Sequence, residues 1–265
     1  MKNKIPVTRK LITIDKNQSL TDAMNVMSKE NIPHILVRDG VKIIGIITDR
    51  DIATTFANFR DLGTERKLKS AQFHVSSAMI NDLKTIPSDE EITEAAKVMV
   101  ENGFSSLPVA EDGKIIGIVT KTDLIKEVKD SKKGIETFYS KNAVTIPSGS
   151  SIVHARKVIL EEKIHKILVT DNGKLIGILS EKDIANALRE FRRALDKYRH
   201  ADVRKITVDD FMKRDPLTLN RNATISDAVK IMVEHNTSGI PIVGETWGII
   251  TKTDIVKGIA EENLP

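Results

Sequence analysis

Gly45-Ile-Ile-Thr-Asp-Arg-Asp51-Ile52 returns three more times along the chain, as Gly117-Ile-Val-Thr-Lys-Thr-Asp123-Leu124, Gly177-Ile-Leu-Ser-Glu-Lys-Asp183-Ile184 and Gly248-Ile-Ile-Thr-Lys-Thr-Asp254-Ile255. The closing aspartates stand at 51, 123, 183 and 254, at intervals of 72, 60 and 71 residues. The units are therefore grouped as two pairs. From one pair to the next the offset is 132 or 131 residues, the mark of a duplicated two-unit module. Self-similarity at a fixed period is the signature of a repeat architecture, in which no single unit buries its apolar face alone.

Working outward from each copy, the same local grammar appears. A short apolar stretch opens each unit: Leu11–Ile14, Leu83–Ile86, Ala143–Ile146 and Pro216–Leu219. A helix start follows, marked by Ser19 and Asp22, Glu91 and Glu94, or Thr224 and Asp227; the Ser and Thr cases have the spacing of a capping box. Apolar residues then recur at helical spacing, as Leu20, Ala23, Met24 and Met27, and as Ile92, Ala95, Ala96 and Met99. Two strands come next, such as Ile35–Val37 and Ile43–Thr48, joined by the turn formers Asp39-Gly40, Asp112-Gly113 and Asn172-Gly173. A second helix begins near the closing aspartate. The expected fold class is α/β (α+β), with four β-α-β-β-α units at 1–60, 75–132, 133–190 and 207–265, paired as 1–132 and 133–265.

Composition narrows the function classes. The chain has 265 residues, 40% hydrophobic and 29% charged, the balance of a globular protein. Cysteine is absent, which removes disulfides, thiolate metal sites and a cysteine nucleophile. No apolar run reaches the roughly 18 residues a bilayer span requires, and Met1–Lys10 has no signal-peptide core, so a cytoplasmic location is expected, without membrane insertion. The formal charge of +4 gives a weak bias toward anionic partners, since 41 basic residues face 37 acidic ones. No Gly-Lys-Thr phosphate loop, catalytic carboxylate pair, His-rich metal spacing or nucleophile elbow is present, so neither a catalytic residue nor a metal site is assigned.

Long connections, Ala53–His74 and Ala185–Lys205, lie within the pairs. The second carries Leu188, Phe191, Leu195 and Tyr198 at near-helical spacing, and reads as a helix closing its pair. It also holds Arg189, Arg192, Arg193, Lys197, Arg199 and Arg204. A nucleic-acid-binding helix is the alternative to a solvated face; with aromatics at only 4% of residues, the solvated face is preferred.

The fourfold Gly-apolar-apolar-Thr/Ser-x-x-Asp-apolar signature, together with Gly103-Phe-Ser-Ser-Leu-Pro-Val109, resembles the CBS domain family over nearly the whole chain. Four units in two Bateman pairs are similar to the gamma subunit of AMP-activated protein kinase and its stand-alone archaeal relatives. The resemblance implies a disc, monomeric or in a homodimer, that binds adenosyl ligands in clefts between paired units and regulates a partner protein. AMP, ADP or ATP is the expected ligand, S-adenosylmethionine the alternative, and no metal is required.

The same resemblance, with elementary chemistry, names residues. Asp51, Asp123, Asp183 and Asp254 are ribose-binding candidates, because a carboxylate accepts hydrogen bonds from both ribose hydroxyls. Thr48, Thr120, Ser180 and Thr251 would offer hydroxyls to phosphate near a helix N-terminus. The same Thr/Ser-x-x-Asp spacing serves a plain helix cap, and that reading stays open. His34, His165 and Lys166 match cationic positions of the family, and Arg50 and Lys182, directly before their aspartates, join them as phosphate candidates. Ile14, Ile86, Ile146, Leu219, Gly45, Gly117, Gly177 and Gly248 are expected to line the adenine clefts. Two departures stand out. Arg156 occupies a helix position held elsewhere by Met24, Ala96 or Val229, which reads as a snorkelling arginine. The stretch from Gly239 to Asp254 is two residues shorter than its counterparts and carries the sole tryptophan, Trp247, which reads as packing.

Overall fold

A computed structural model describes residues 3–52, 54–55, 73–197 and 205–264. Most of the 53–74 connection, residues 198–204 with Tyr198, Arg199 and Arg204, and the side chains of Arg189, Arg192, Arg193 and Lys197 lie outside the described residues. The nucleic-acid reading falls on that region.

The repeats follow the expected order. The first has β1 (Thr13–Asp15), α1 (Leu20–Glu30), β2 (His34–Asp39) and β3 (Lys42–Thr48), followed by helical residues 49–52. The second has β4 (Ile86–Pro87), α2 (Ile92–Glu101), β5 (Ser106–Glu111), β6 (Lys114–Thr120) and α3 (Lys121–Glu127). The third has β7 (Thr145–Pro147), α4 (Ile152–Glu161), β8 (Lys166–Asp171), β9 (Lys174–Ser180) and α5 (Glu181–Lys197); α5 runs without a break into the segment expected to close the pair. After β10 (Lys213–Arg214), the fourth has β11 (Leu219–Asn220), α6 (Ile225–Glu234), β12 (Gly239–Val243), β13 (Gly248–Thr251) and α7 (Lys252–Ala260). Each opening strand starts two or three residues later than its apolar run. Only residues such as Thr13–Asp15, which pair parallel with Leu36–Arg38, enter the ladder.

In each repeat the first strand runs parallel to the second and the second antiparallel to the third; β10 extends the third repeat's sheet along β9. Turns at Asp112-Gly113 and Asn172-Gly173 hold both residues at positive φ, the backbone that matches strand twist in a two-residue hairpin. The first three hairpins share a bulge, as where Val37 pairs with Gly45 and Arg38 with Ile43, skipping Ile44. The fourth hairpin stops at Ile242 opposite Gly248, before the bulge position, which accounts for its missing residues.

Contacts divide the chain into two compact units. One comprises 1–11, 84–143 and 216–265, so it holds the second and fourth repeats. Its helices share a single core in which Ile92, Ala96, Met99 and Leu124 pack with Ile225, Met232, Ile255 and Ile259. The other comprises 12–83 and 144–215, holding the first and third repeats, each with its own core: Ile14, Leu20, Met27 and Ile47 in one, Ile146, Ile152, Ile167 and Leu179 in the other. Fully burying each such side chain stabilises by about 1.5–3 kcal/mol.

The segment ahead of each repeat docks on a different repeat. Thr8 exchanges backbone hydrogen bonds with Ile118, Ile80 with Ile46, Ser140 with Ile249, and Lys213 pairs with Ile178. This exchange follows the sequence pairs, first with second and third with fourth. No helix among the described residues is long and apolar enough to cross a membrane.

Candidate functional site

The Thr/Ser-x-x-Asp elements are helix caps in all four repeats. Thr48 N–H and Oγ1 both donate to Asp51 Oδ2, at 2.8 and 2.6 Å, while Asp51 N–H donates back to Thr48 Oγ1 at 3.2 Å. Thr120 with Asp123, Ser180 with Asp183 and Thr251 with Asp254 repeat this, the hydroxyl-to-carboxylate bonds measuring 2.7, 2.5 and 2.7 Å. The cap reading left open by the sequence is thus met in every copy. It also redirects the phosphate expectation, because each hydroxyl proton is committed to its own aspartate.

The caps leave one carboxylate oxygen over. Among the described residues, every hydrogen bond to these four carboxylates is taken at Oδ2, and Oδ1 accepts none; Asp123 Oδ1 faces Lys126 Nζ at 3.9 Å. All four aspartates are half-buried. Burial pushes Asp254 up from the ordinary carboxylate value, against the hydrogen bonds from Thr251. Fixed by its cap, each carboxylate presents an oxygen with two lone pairs, able to accept from two neighbouring hydroxyls.

Strand register places the cationic candidates. Directly across the ladder from the cap residue lie His34 opposite Thr48, Ser106 opposite Thr120, Lys166 opposite Ser180 and Gly239 opposite Thr251. The odd repeats thus carry an ionisable base at this position and the even repeats a small residue. His34 is buried, Lys166 and Lys182 half-buried.

Arg50 and His165, expected at phosphate, engage each other. Arg50 Nε donates to Glu181 Oε2 at 3.1 Å, its Nη2 lies against the His165 ring, and His165 Nδ1 stands 3.2 Å from the same Glu181 oxygen. Burial raises the Glu181 pKa, yet the hydrogen bond to His165 and the charge of Arg50 outweigh it and hold the carboxyl below its usual value. Glu181 was missed in the sequence, although the residue two before each closing aspartate reads Asp49, Lys121, Glu181 and Lys252, a visible alternation of sign.

In the other compact unit this position is basic. Lys121 Nζ donates to Thr253 Oγ1 at 3.0 Å and Lys252 Nζ to Thr122 Oγ1 at 2.8 Å. Lys121 is buried. Lys252 is pushed down to about 8, by burial first and by nearby Lys126 second, with Asp123 opposing.

The residues expected to line adenine are otherwise engaged. Ile14, Ile86 and Ile146 are buried in the cores, and Leu219 packs partly against one. The glycines are required by crossing segments. A Cβ on Gly45 would lie 2.8 Å from Ile80 O, on Gly117 2.3 Å from Val7 Cγ1, on Gly177 2.3 Å from Met212 Sδ and on Gly248 2.7 Å from Tyr139 Cε2. At each of these glycines the docked segment fills the space beside the backbone. Among the described residues no group of three or more His, Asp or Glu side chains could hold a metal ion.

Comparison with known proteins agrees with this architecture. Protein MJ1225 of Methanocaldococcus jannaschii is 22% identical over 97% of this chain and 98% of its own length. Its crystal structure, described as that of a candidate archaeal homologue of g-AMPK, matches with a TM-score of 0.82 over 94% of this chain and 96% of that one at 20% identity, a likeness of fold. Protein MJ1404 of the same organism is 24% identical over 96% of this chain, which spans 61% of that relative's length. A conserved protein from Pyrococcus horikoshii matches with a TM-score of 0.63 at 20% identity, over 98% of this chain and 100% of that one. The CBS domain family matches residues 3–58, 75–130, 135–190 and 208–261. With those four stretches taking up most of the sequence, each bearing the same hairpin and capped second helix, the chain belongs to the CBS domain family.

Proposed function

We propose that this chain is a non-catalytic regulatory protein that binds adenosine-bearing ligands and signals their level to a partner protein. AMP, ADP or ATP is the ligand class the residues favour, with S-adenosylmethionine the alternative. The observation that supports this reading is the fourfold recurrence of a half-buried aspartate anchored through Oδ2 while its Oδ1 accepts no hydrogen bond from the described residues. The two ribose hydroxyls are the matching donors. In the odd repeats, Lys166 and His34 opposite the caps would favour the phosphorylated members of the class. Regulation requires that the ligand bind one conformation better than another, since only differential affinity shifts an equilibrium.

The test is identification of what the protein carries. Purified protein is denatured and the released small molecules are analysed by mass spectrometry, alongside thermal shifts with AMP, ADP, ATP and S-adenosylmethionine. An adenosine-bearing molecule in the released fraction, or stabilisation by one of the four without its turnover, supports the reading. No such molecule and no stabilisation by any of them overturns it.

A further inference from the structure

Two lysines cross between the second and fourth repeats, which belong to one compact unit, and each meets a threonine hydroxyl on the other side. Lys252, the first residue of α7, is half-buried, and its Nζ donates to Thr122 Oγ1 at 2.8 Å. Its counterpart Lys121 is buried more deeply. Further along α3, Lys126 acts on the Lys252 amine: its charge adds to burial in disfavouring the ammonium, and Asp123 opposes the two more weakly.

Desolvation and a neighbouring cation are the two conditions that turn a lysine into a nucleophile, because both favour the neutral amine. With its pKa held at about 8, roughly a quarter of Lys252 is neutral at pH 7.5, against about a thousandth of an ordinary lysine. The amine lies inside the contact, so the electrophile that reaches it is small. Its product must also suit the charges already there. An acyl group would only remove the positive charge, whereas carbon dioxide replaces it with a negative one and turns the repulsion from Lys126 into attraction. Asp123 acts in the opposite sense, and Lys126 outweighs it. The position accepts an anion elsewhere in the chain: one residue past the cap, where the fourth repeat has Lys252, the first has Asp49 and the third Glu181. Thr122 accepts from the ammonium, and its own hydroxyl proton would donate to a carbamate oxygen.

We propose that Lys252 is a carbon dioxide acceptor, forming a carbamate at the contact between the second and fourth repeats. The lone pair of the neutral amine attacks the carbon, an N–C bond forms, one C=O π pair moves onto oxygen, and the nitrogen gives up a proton to water. One amine and one carbon dioxide thus give one carbamate anion and one proton, with nothing oxidised or reduced. The reaction needs no nucleotide, so it stands apart from the adenosine reading.

Trapping on the full chain tests it. Protein equilibrated at pH 7.5 with carbon-13-labelled carbon dioxide and bicarbonate is treated with triethyloxonium ion, which alkylates a carbamate oxygen and fixes it as an ethyl carbamate. Peptide mass spectrometry then locates the modified lysines. Lys252 is expected to carry the label at least about tenfold more than the exposed Lys42. In parallel, carbon-13 NMR is expected to show a protein-bound carbamate signal that is lost in Lys252→Arg, which keeps the positive charge. Label on Lys252 that is absent or no greater than on Lys42, or a carbamate signal undiminished in Lys252→Arg, overturns the proposal.

Discussion

Lys121 of the second repeat donates a hydrogen bond to Thr253 of the fourth at 3.0 Å, and Lys252 returns the same bond to Thr122 at 2.8 Å. The pair of bonds is reciprocal: two copies of Thr-Lys-Thr-Asp meet head to head, each lysine reaching the threonine one step before the other's aspartate. The first and third repeats use the same two positions with charge instead, where Glu181 takes Arg50. A duplicated unit has thus diverged at its contacts while keeping its caps.

One of the reciprocal lysines, Lys252, makes stability depend on alkaline pH. Lys252 is held down to about 8, mainly by burial, from the ordinary 10.5. Below about pH 8 the fold carries an ammonium it disfavours. Between about 8 and 10.5 the folded chain has released the proton and the unfolded chain has not, so stability rises with pH. Urea denaturation is expected to show wild type gaining on Lys252→Met across that window. Parallel curves for the two proteins would contradict it.

Glu181 gives the opposite dependence at the acid end. Its folded pKa lies below the ordinary 4.5, so its contribution is complete above that value and disappears as pH falls through the folded pKa. Glu181→Gln is therefore expected to cost stability at pH 6 and to match wild type once the carboxyl is protonated, by denaturation at a series of pH values. A difference that stays constant down to pH 3 would show that the pairing with Arg50 and His165 is not its source.

The crossing segments rank two glycine substitutions. In Gly45→Ala the new Cβ meets the Ile80 carbonyl, which is held in a backbone hydrogen bond to Ile46. In Gly177→Ala the nearest atom is the Met212 sulfur, the adaptable end of a flexible side chain. Gly45→Ala is expected to destabilise by about 1–3 kcal/mol, Gly177→Ala by less. Thermal unfolding of the two variants measures the order, and a larger loss for Gly177→Ala would contradict it.

Charge opposite the cap separates ligands within the adenosine class. Lys166 pairs across the ladder with Ser180, beside Asp183. Lys166→Ala is expected to weaken ATP about tenfold and adenosine by less than about twofold, as a contact to phosphate alone would. Equal losses for both ligands would place Lys166 away from the phosphate.

Much of this was legible in the amino-acid order. Repeats separated by 72, 60 and 71 residues, turn pairs such as Asn172-Gly173, and the Ser19 and Thr224 capping boxes each report local backbone geometry, which a sequence encodes directly. The site was legible only in part. The aspartates could be named, but not which oxygen the cap would use. Nothing local says that residues 79–80 cross above Gly45, or that Ile14 is sealed in a core.

Calorimetric titration of AMP, ADP, ATP and S-adenosylmethionine into wild type, and into variants with Asp51, Asp123, Asp183 or Asp254 changed to Asn, bears most directly on the central claim. We expect submillimolar, saturable binding of at least one ligand, weakened about tenfold by at least one Asp→Asn change that leaves the fold intact. Binding that persists at full strength in all four variants, or that never appears, would contradict the account.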